Sequence, residues 1–224
     1  METMMSKLKQ FVFGLALMAV VLPHLALAGS QSATYRVTFT ATWSNKTHPH
    51  AGFPAHAFFS PLIGGVHSDQ VVYWKVGELA SPGIKLMAEE GIADGLANDV
   101  KADVDHGLAL AVLSKPMTTD SPGSNTLAAF QVTKDFPLVT LVTMLAPTPD
   151  WFTGVSGLSL LDEHGNWVKS KVVMLYPFDA GTQQNLRYAL NQPPEPKRRP
   201  IYSLSGSEWF TREPVGNFTF SRVK

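Results

Sequence analysis

Residues 35–43 read Tyr35-Arg36-Val37-Thr38-Phe39-Thr40-Ala41-Thr42-Trp43. Apolar side chains alternate with Arg and Thr. In an extended chain, successive side chains point to opposite faces, so this pattern predicts a strand with one buried and one wet face. Similar strand signals recur at Val71–Trp74, Leu108–Val112, Leu127–Val132, Leu138–Leu145, Trp167–Leu175 and Asn217–Val223. Turn-forming clusters separate them. Asp120–Asn125 is one, and Asp162-Glu163-His164-Gly165-Asn166 reads as a hairpin tip, since Gly and Asn tolerate positive φ. Helical signal is confined to Pro82–Gly91, where Ser81 can cap, Pro82 suits the first turn and Gly91 can stop the helix, with a second short helix over Leu96–Val104. Seven or eight strands with one or two short helices in the connections predict an all-β fold, an antiparallel β-sandwich. A doubly wound α/β fold would need long helices between strands, which this pattern does not supply.

Composition narrows the function. The 224 residues are 45% apolar, enough for a large core, and 18 basic side chains balance 18 acidic ones. A neutral chain offers no broad field for nucleic acid or an anionic membrane. With no cysteine, a disulfide scaffold, a thiolate metal site and a cysteine nucleophile are excluded. Residues 1–28 form a signal peptide: Lys7 and Lys9, the apolar run Phe11–Leu22, then Ala26-Leu27-Ala28 as cleavage site. The run is too short for the roughly 20 residues of a membrane span, and no later stretch qualifies. Residues 29–224 are expected to form one exported domain, secreted or periplasmic, with no span after signal removal.

Three groups of residues could carry chemistry. His48, His50 and His56 occur close together, and imidazole is a common zinc ligand. A secreted metal-dependent hydrolase built on them is the alternative enzymatic reading, although no HExxH spacing or Gly-x-Ser-x-Gly elbow supports it. Asp150 in Pro149-Asp150-Trp151 and Asp179 in Phe178-Asp179-Ala180 each follow a strand. If a hairpin through Asp162–Asn166 joins those strands, both loops lie at one end of the sandwich. Two carboxylates brought together repel unless a proton or hard cation lies between them, and calcium suits oxygen ligands. Each Asp could equally cap its own turn. Trp151, Trp209 or Tyr202 could serve as the stacking platform of a carbohydrate-binding module. The basic segment Pro193–Pro200 reads as a surface connection to the last strand.

Ordered motifs then identify a relationship. They are Trp43-Ser44 with Thr47-His48-Pro49, Phe59-Ser60-Pro61-Leu62-Ile63-Gly64 with His67-Ser68, Ala80-Ser81-Pro82-Gly83, Pro149-Asp150-Trp151-Phe152-Thr153-Gly154-Val155 and Leu175-Tyr176-Pro177-Phe178-Asp179-Ala180-Gly181-Thr182. From Tyr35 to about Asn191 the chain resembles the spondin N-terminal domain family of the F-spondin and mindin type, in an exported bacterial-type form. The resemblance implies a C2-like sandwich, a bound Ca2+ ion and a non-catalytic role in adhesion, with an extracellular or surface protein or glycan as partner. It places calcium ligands on Asp150 and Asp179, and on Gln131 and Gln183 where the family pattern has acidic residues. Two lost charges imply weaker binding. It also makes His48 and His67 scaffold residues and puts Leu161 where animal members have a cysteine.

Overall fold

In the computed structural model residues 30–224 are described, and the predicted signal peptide over 1–28 lies outside them. The chain begins with β1 (Ser32–Ala41), whose burial alternates as the opening sequence requires: Tyr35, Val37, Phe39 and Ala41 face the core, and the Thr residues between them face out. β2 (Phe58–Phe59) and β3 (Leu62–His67) follow, then α1 (Pro82–Glu90) and α2 (Asp94–Asp105). The remaining strands are β4 (Ala109–Lys115), β5 (Thr119–Asp120), β6 (Gly123–Thr133), β7 (Leu138–Ala146), β8 (Trp151–Ser159), β9 (Ser170–Leu175), β10 (Phe178–Asp179), β11 (Tyr202–Ser203) and β12 (Gly216–Arg222).

These strands make two antiparallel sheets. One has four strands in the order β6-β1-β12-β9. The other runs β11-β10-β8-β7-β2-β5, with β3 pairing both β7 and β4. Side chains from both inner faces fill the interface, including Phe39, Phe59, Leu141, Trp151, Phe218 and Phe220. A second apolar cluster joins the outer face of the larger sheet to the helices through Ile63, Val142, Met144 and Phe152 on one side and Ile84, Met87, Leu96 and Val100 on the other. β7 is therefore covered on both faces. Its sequence is a nearly continuous apolar run, as a strand buried on both sides requires.

The first helix forms as its sequence signals. Ser81 accepts from the Ile84 amide at 3.2 Å, Pro82 opens the helix, and Gly91 ends it at φ 68°. The hairpin tip also forms, with Asp162 Oδ1 accepting from the His164 and Asn166 amides and Gly165 at positive φ. Two expectations fail. Val71–Trp74 is not a strand: Tyr73 and Trp74 leave the ladder and pack into the helix-side cluster. Conversely, Leu62–His67 is a central strand that alternation does not reveal, because its middle is Gly64-Gly65. A Cβ at Gly64 would lie 1.9 Å from the Thr140 carbonyl oxygen, and one at Gly65 2.6 Å from Val100 Cγ1. Backbone and helix approach too closely there for any side chain.

Candidate metal centre

Asp150 precedes β8, and Asp179 closes β10, which pairs antiparallel with β8. The register sets Asp179 opposite Trp151, and the Ala180 amide donates to the Asp150 carbonyl at 3.1 Å. The two carboxylates thus come from neighbouring strands at one sheet end. Both are fully buried. Thr148 turns the chain into the site: its hydroxyl donates to the Leu145 carbonyl and accepts from the Trp151 amide.

The two carboxylates are held differently. Asp150 Oδ2 accepts from the Thr182 amide at 2.7 Å, the Thr182 hydroxyl at 3.0 Å and the Gln183 amide at 3.0 Å. Asp150 Oδ1 is buried and has no hydrogen-bond partner. Asp179 Oδ1 accepts from the Gly181 amide at 2.7 Å, and its Oδ2 from Asn185 Nδ2 at 2.6 Å and the Tyr202 hydroxyl at 2.9 Å. Gly181 is required here. It sits at φ 72°, and a Cβ would meet the Arg199 carbonyl oxygen at 2.0 Å. Around it the segment 195–199 straps the loop down, with Arg199 and Glu195 amides donating to the Gly181 and Thr182 carbonyls. The segment expected as a plain surface connection is thus part of the wall.

Burial pushes the Asp150 carboxyl up to about 7, helped by the neighbouring Asp179 charge and opposed by the donors from Thr182 and Gln183. Burial also raises Asp179, against its donors and the Arg199 charge. Tyr202 is pushed up to about 12, first by burial and then by the Asp179 charge. Two acids forced together in a dry pocket need a proton or a cation.

The residues fit a hard cation. Asp150 Oδ1 keeps its full acceptor capacity, and the remaining donors are oxygens, as calcium prefers over soft metals. Gln183 is buried in the same loop, its Oε1 accepting from the Gln192 amide at 3.0 Å. Of the Asp150, Asp179 and Gln183 side-chain oxygens, Asp150 Oδ1 is the buried one without a hydrogen-bond partner. Among the described residues no group of three His, Cys, Asp or Glu side chains gathers anywhere. Gln131 corrects the expected ligand set. It lies on β6 in the other sheet, exposed between buried Phe130 and Val132, because strand periodicity turns it away from the core they enter.

The opposing readings also meet the geometry. The imidazoles of His48, His50 and His56 do not form a zinc site. His48 is buried, with Nδ1 against the Thr47 hydroxyl and Nε2 against the Glu213 carbonyl. His50 Nδ1 accepts from the Gly52 amide, and His56 lies exposed. His67 is likewise committed, to the Ser68 carbonyl and the Thr140 hydroxyl. Burial lowers both His48 and His67 below the ordinary imidazole range, as scaffold residues kept neutral. Trp151 cannot be a stacking platform, since its indole is fully buried and donates to Asn185 Oδ1 at 2.7 Å. Asn185 was not legible as a site residue. It follows the Gly-Thr motif by three positions, and only its bonds to Asp179, Tyr202 and Trp151 show its role.

The Spondin_N family model matches residues 33–214. The chain belongs to the spondin N-terminal domain family. It is 34% identical to Spondin-1 of Rattus norvegicus over 202 residues, which cover 87% of this chain and 25% of that protein. It is 30% identical to Spondin-2 of Homo sapiens over 228 residues, or 94% of this chain and 67% of that protein. This spondin domain therefore spans about a quarter of the length of the Spondin-1 relatives. Among its described residues no helix is long and apolar enough to cross a membrane.

Proposed function

We propose that this spondin domain is an exported, extracellular, non-catalytic adhesion or interaction module whose carboxylate pair holds calcium. The observation that carries the reading is Asp150 Oδ1, buried without a donor beside a second buried carboxylate. Asp150, Asp179 and Gln183 would hold the ion. Its contribution is positive charge, which removes the repulsion between the two acids and joins β8, β10 and the 181–183 loop at one sheet end. The protein supplies the rest. Thr182 and Gln183 fix one oxygen of Asp150, Gly181 fixes one of Asp179, and the 195–199 strap excludes water. Export by the leader over 1–28 supports an extracellular setting, where calcium is abundant. Buried, fully bonded histidines support a scaffold role over catalysis.

Calorimetric titration of the metal-free protein with CaCl2 tests the reading. Saturating binding is expected, with a raised melting temperature. At one hundred times the dissociation constant the added stability is about 2.7 kcal/mol. Asp150→Asn and Asp179→Asn should each abolish the shift. No heat and no shift in millimolar calcium would refute the metal.

A further inference from the structure

The last strand of an open sheet presents a row of unpaired amides and carbonyls that recruits another strand, and natural sheets guard such edges with charge, proline or brevity. Four of the strands that end a sheet here are guarded in this way. β5 and β11 are two residues long, β9 carries Lys171, and β4 carries Lys115. β6 differs. It has 11 residues, Gly123–Thr133, with neither a charged residue nor a proline among them, and it pairs on one side only, with β1. On its free side an open cleft of about 400 Å³ separates residues 127–131 from residues 110–114 of β4. Between Ser124 and Val132 the backbone makes one hydrogen bond outside the β1 ladder, from the Thr126 amide to Asn125 Oδ1. We infer that the free edge of β6 pairs with the same edge of a second copy of this chain, antiparallel about a two-fold axis.

Charge and symmetry select a second copy as the occupant. An edge that meets its own twin across a two-fold axis sets like against like, so a charged side chain near the axis would face the same charge. An edge free of charge escapes that repulsion. The chain as a whole adds none, since 18 basic side chains balance 18 acidic ones. The middle of β6 also leaves room for a neighbour. Tyr35 pairs with Phe130 and Val37 with Leu127, so Ala128 and Ala129 form a bulge opposite Arg36, and both are small and exposed. A bulge interrupts an edge locally. With the axis at this bulge, Ser124–Leu127 of one copy lies against Phe130–Thr133 of the other, and the interruption falls between two short ladders. Thr126, whose hydroxyl already meets that of Thr38 at 3.1 Å, then stands opposite the exposed amide side chain of Gln131 in the other copy. Pairing doubles the four-stranded sheet and closes its unguarded end. Asp150 and Asp179 belong to the other sheet, so the inference stands apart from the calcium reading.

Sedimentation velocity of the purified protein over the micromolar range, once in CaCl2 and once in EGTA, tests the inference. A concentration-dependent equilibrium between monomer and dimer is expected in both. Ala128→Lys sets two ammonium groups beside the axis and should weaken the dimer about ten-fold or more, and Ala128→Glu should do the same with two carboxylates. Mixing the two variants should restore a one-to-one dimer, a rescue that misfolded chains would not give. Val172→Lys, at an exposed position on the strand that ends the same sheet on its far side, should leave the equilibrium unchanged. A monomer at every concentration in both buffers, a dimer insensitive to both Ala128 variants, a mixture that stays monomeric, or a dimer dissolved by Val172→Lys would overturn the inference. Failure of the calcium reading shows separately, as a blank CaCl2 titration.

Discussion

Asp150→Asn should make the metal-free protein more stable at alkaline pH, and the gain should vanish in acid. In the folded protein Asp150 titrates near 7, against about 3.9 in an unfolded chain. Between those values the native state holds a proton that the unfolded state has released, so native stability falls as pH rises through the window and stays low above it. Three pH units at about 1.4 kcal/mol each set the penalty at up to about 4 kcal/mol by pH 8. Asparagine keeps the shape. Its oxygen can accept the three donors from Thr182 and Gln183, and its amino group can take the place of the unpartnered Oδ1 beside Asp179. Urea unfolding of both proteins in metal-free buffer, at intervals from pH 4 to pH 8, measures the difference. His48 and His67 act in the opposite sense. Their lowered values mean the unfolded state binds more protons, so their contribution is lost as pH falls below about 6.5. Both proteins share those histidines, and subtraction removes them. A difference that stays flat, or shrinks as pH rises, would refute the argument that Asp150 carries the cost of burial. Adding calcium at pH 8 should restore the wild type and leave the variant unmoved.

Other outcomes follow from the same geometry. Gln183→Asp adds a third carboxylate to the loop and should tighten calcium binding by about ten-fold or more, since ligand charge tunes affinity, while lowering metal-free stability; calorimetry and unfolding read the two effects. Gly181→Ala places a Cβ 2.0 Å from the Arg199 carbonyl at φ 72° and should cost more than about 2 kcal/mol, measured by urea unfolding, with the calcium response weakened. Gln131→Ala should change stability by no more than about 0.5 kcal/mol and leave the calcium titration unaltered, as befits an exposed residue of the other sheet.

Much of this molecule was readable along the chain because strand and helix signals are local. Alternation marked β1, β6 and β12, Ser81, Pro82 and Gly91 bounded α1, and Gly165 with Asn166 marked the hairpin tip. Local pattern misled where long-range packing decided the outcome. Val71–Trp74 has strand-forming residues but finds no ladder partner, because its aromatics are drawn into the helix-side cluster. Gly64-Gly65 shows no apolar alternation, yet its missing side chains let β7 and α2 approach.

The acidic pair shows the same division. That Asp150 and Asp179 each follow a strand is written in the order of residues, and so is the family to which their motifs belong. Their confrontation is not, for it depends on β10 folding back beside β8 in one register. Nor could residue order assign Gln131 to a different sheet from Gln183, or show that Asn185 and Tyr202 reach across to Asp179. Residue types fix which groups can ionise, stack or donate. Only the closed fold sets their separation and removes water from between them, and on those two quantities the strength of every charge interaction depends.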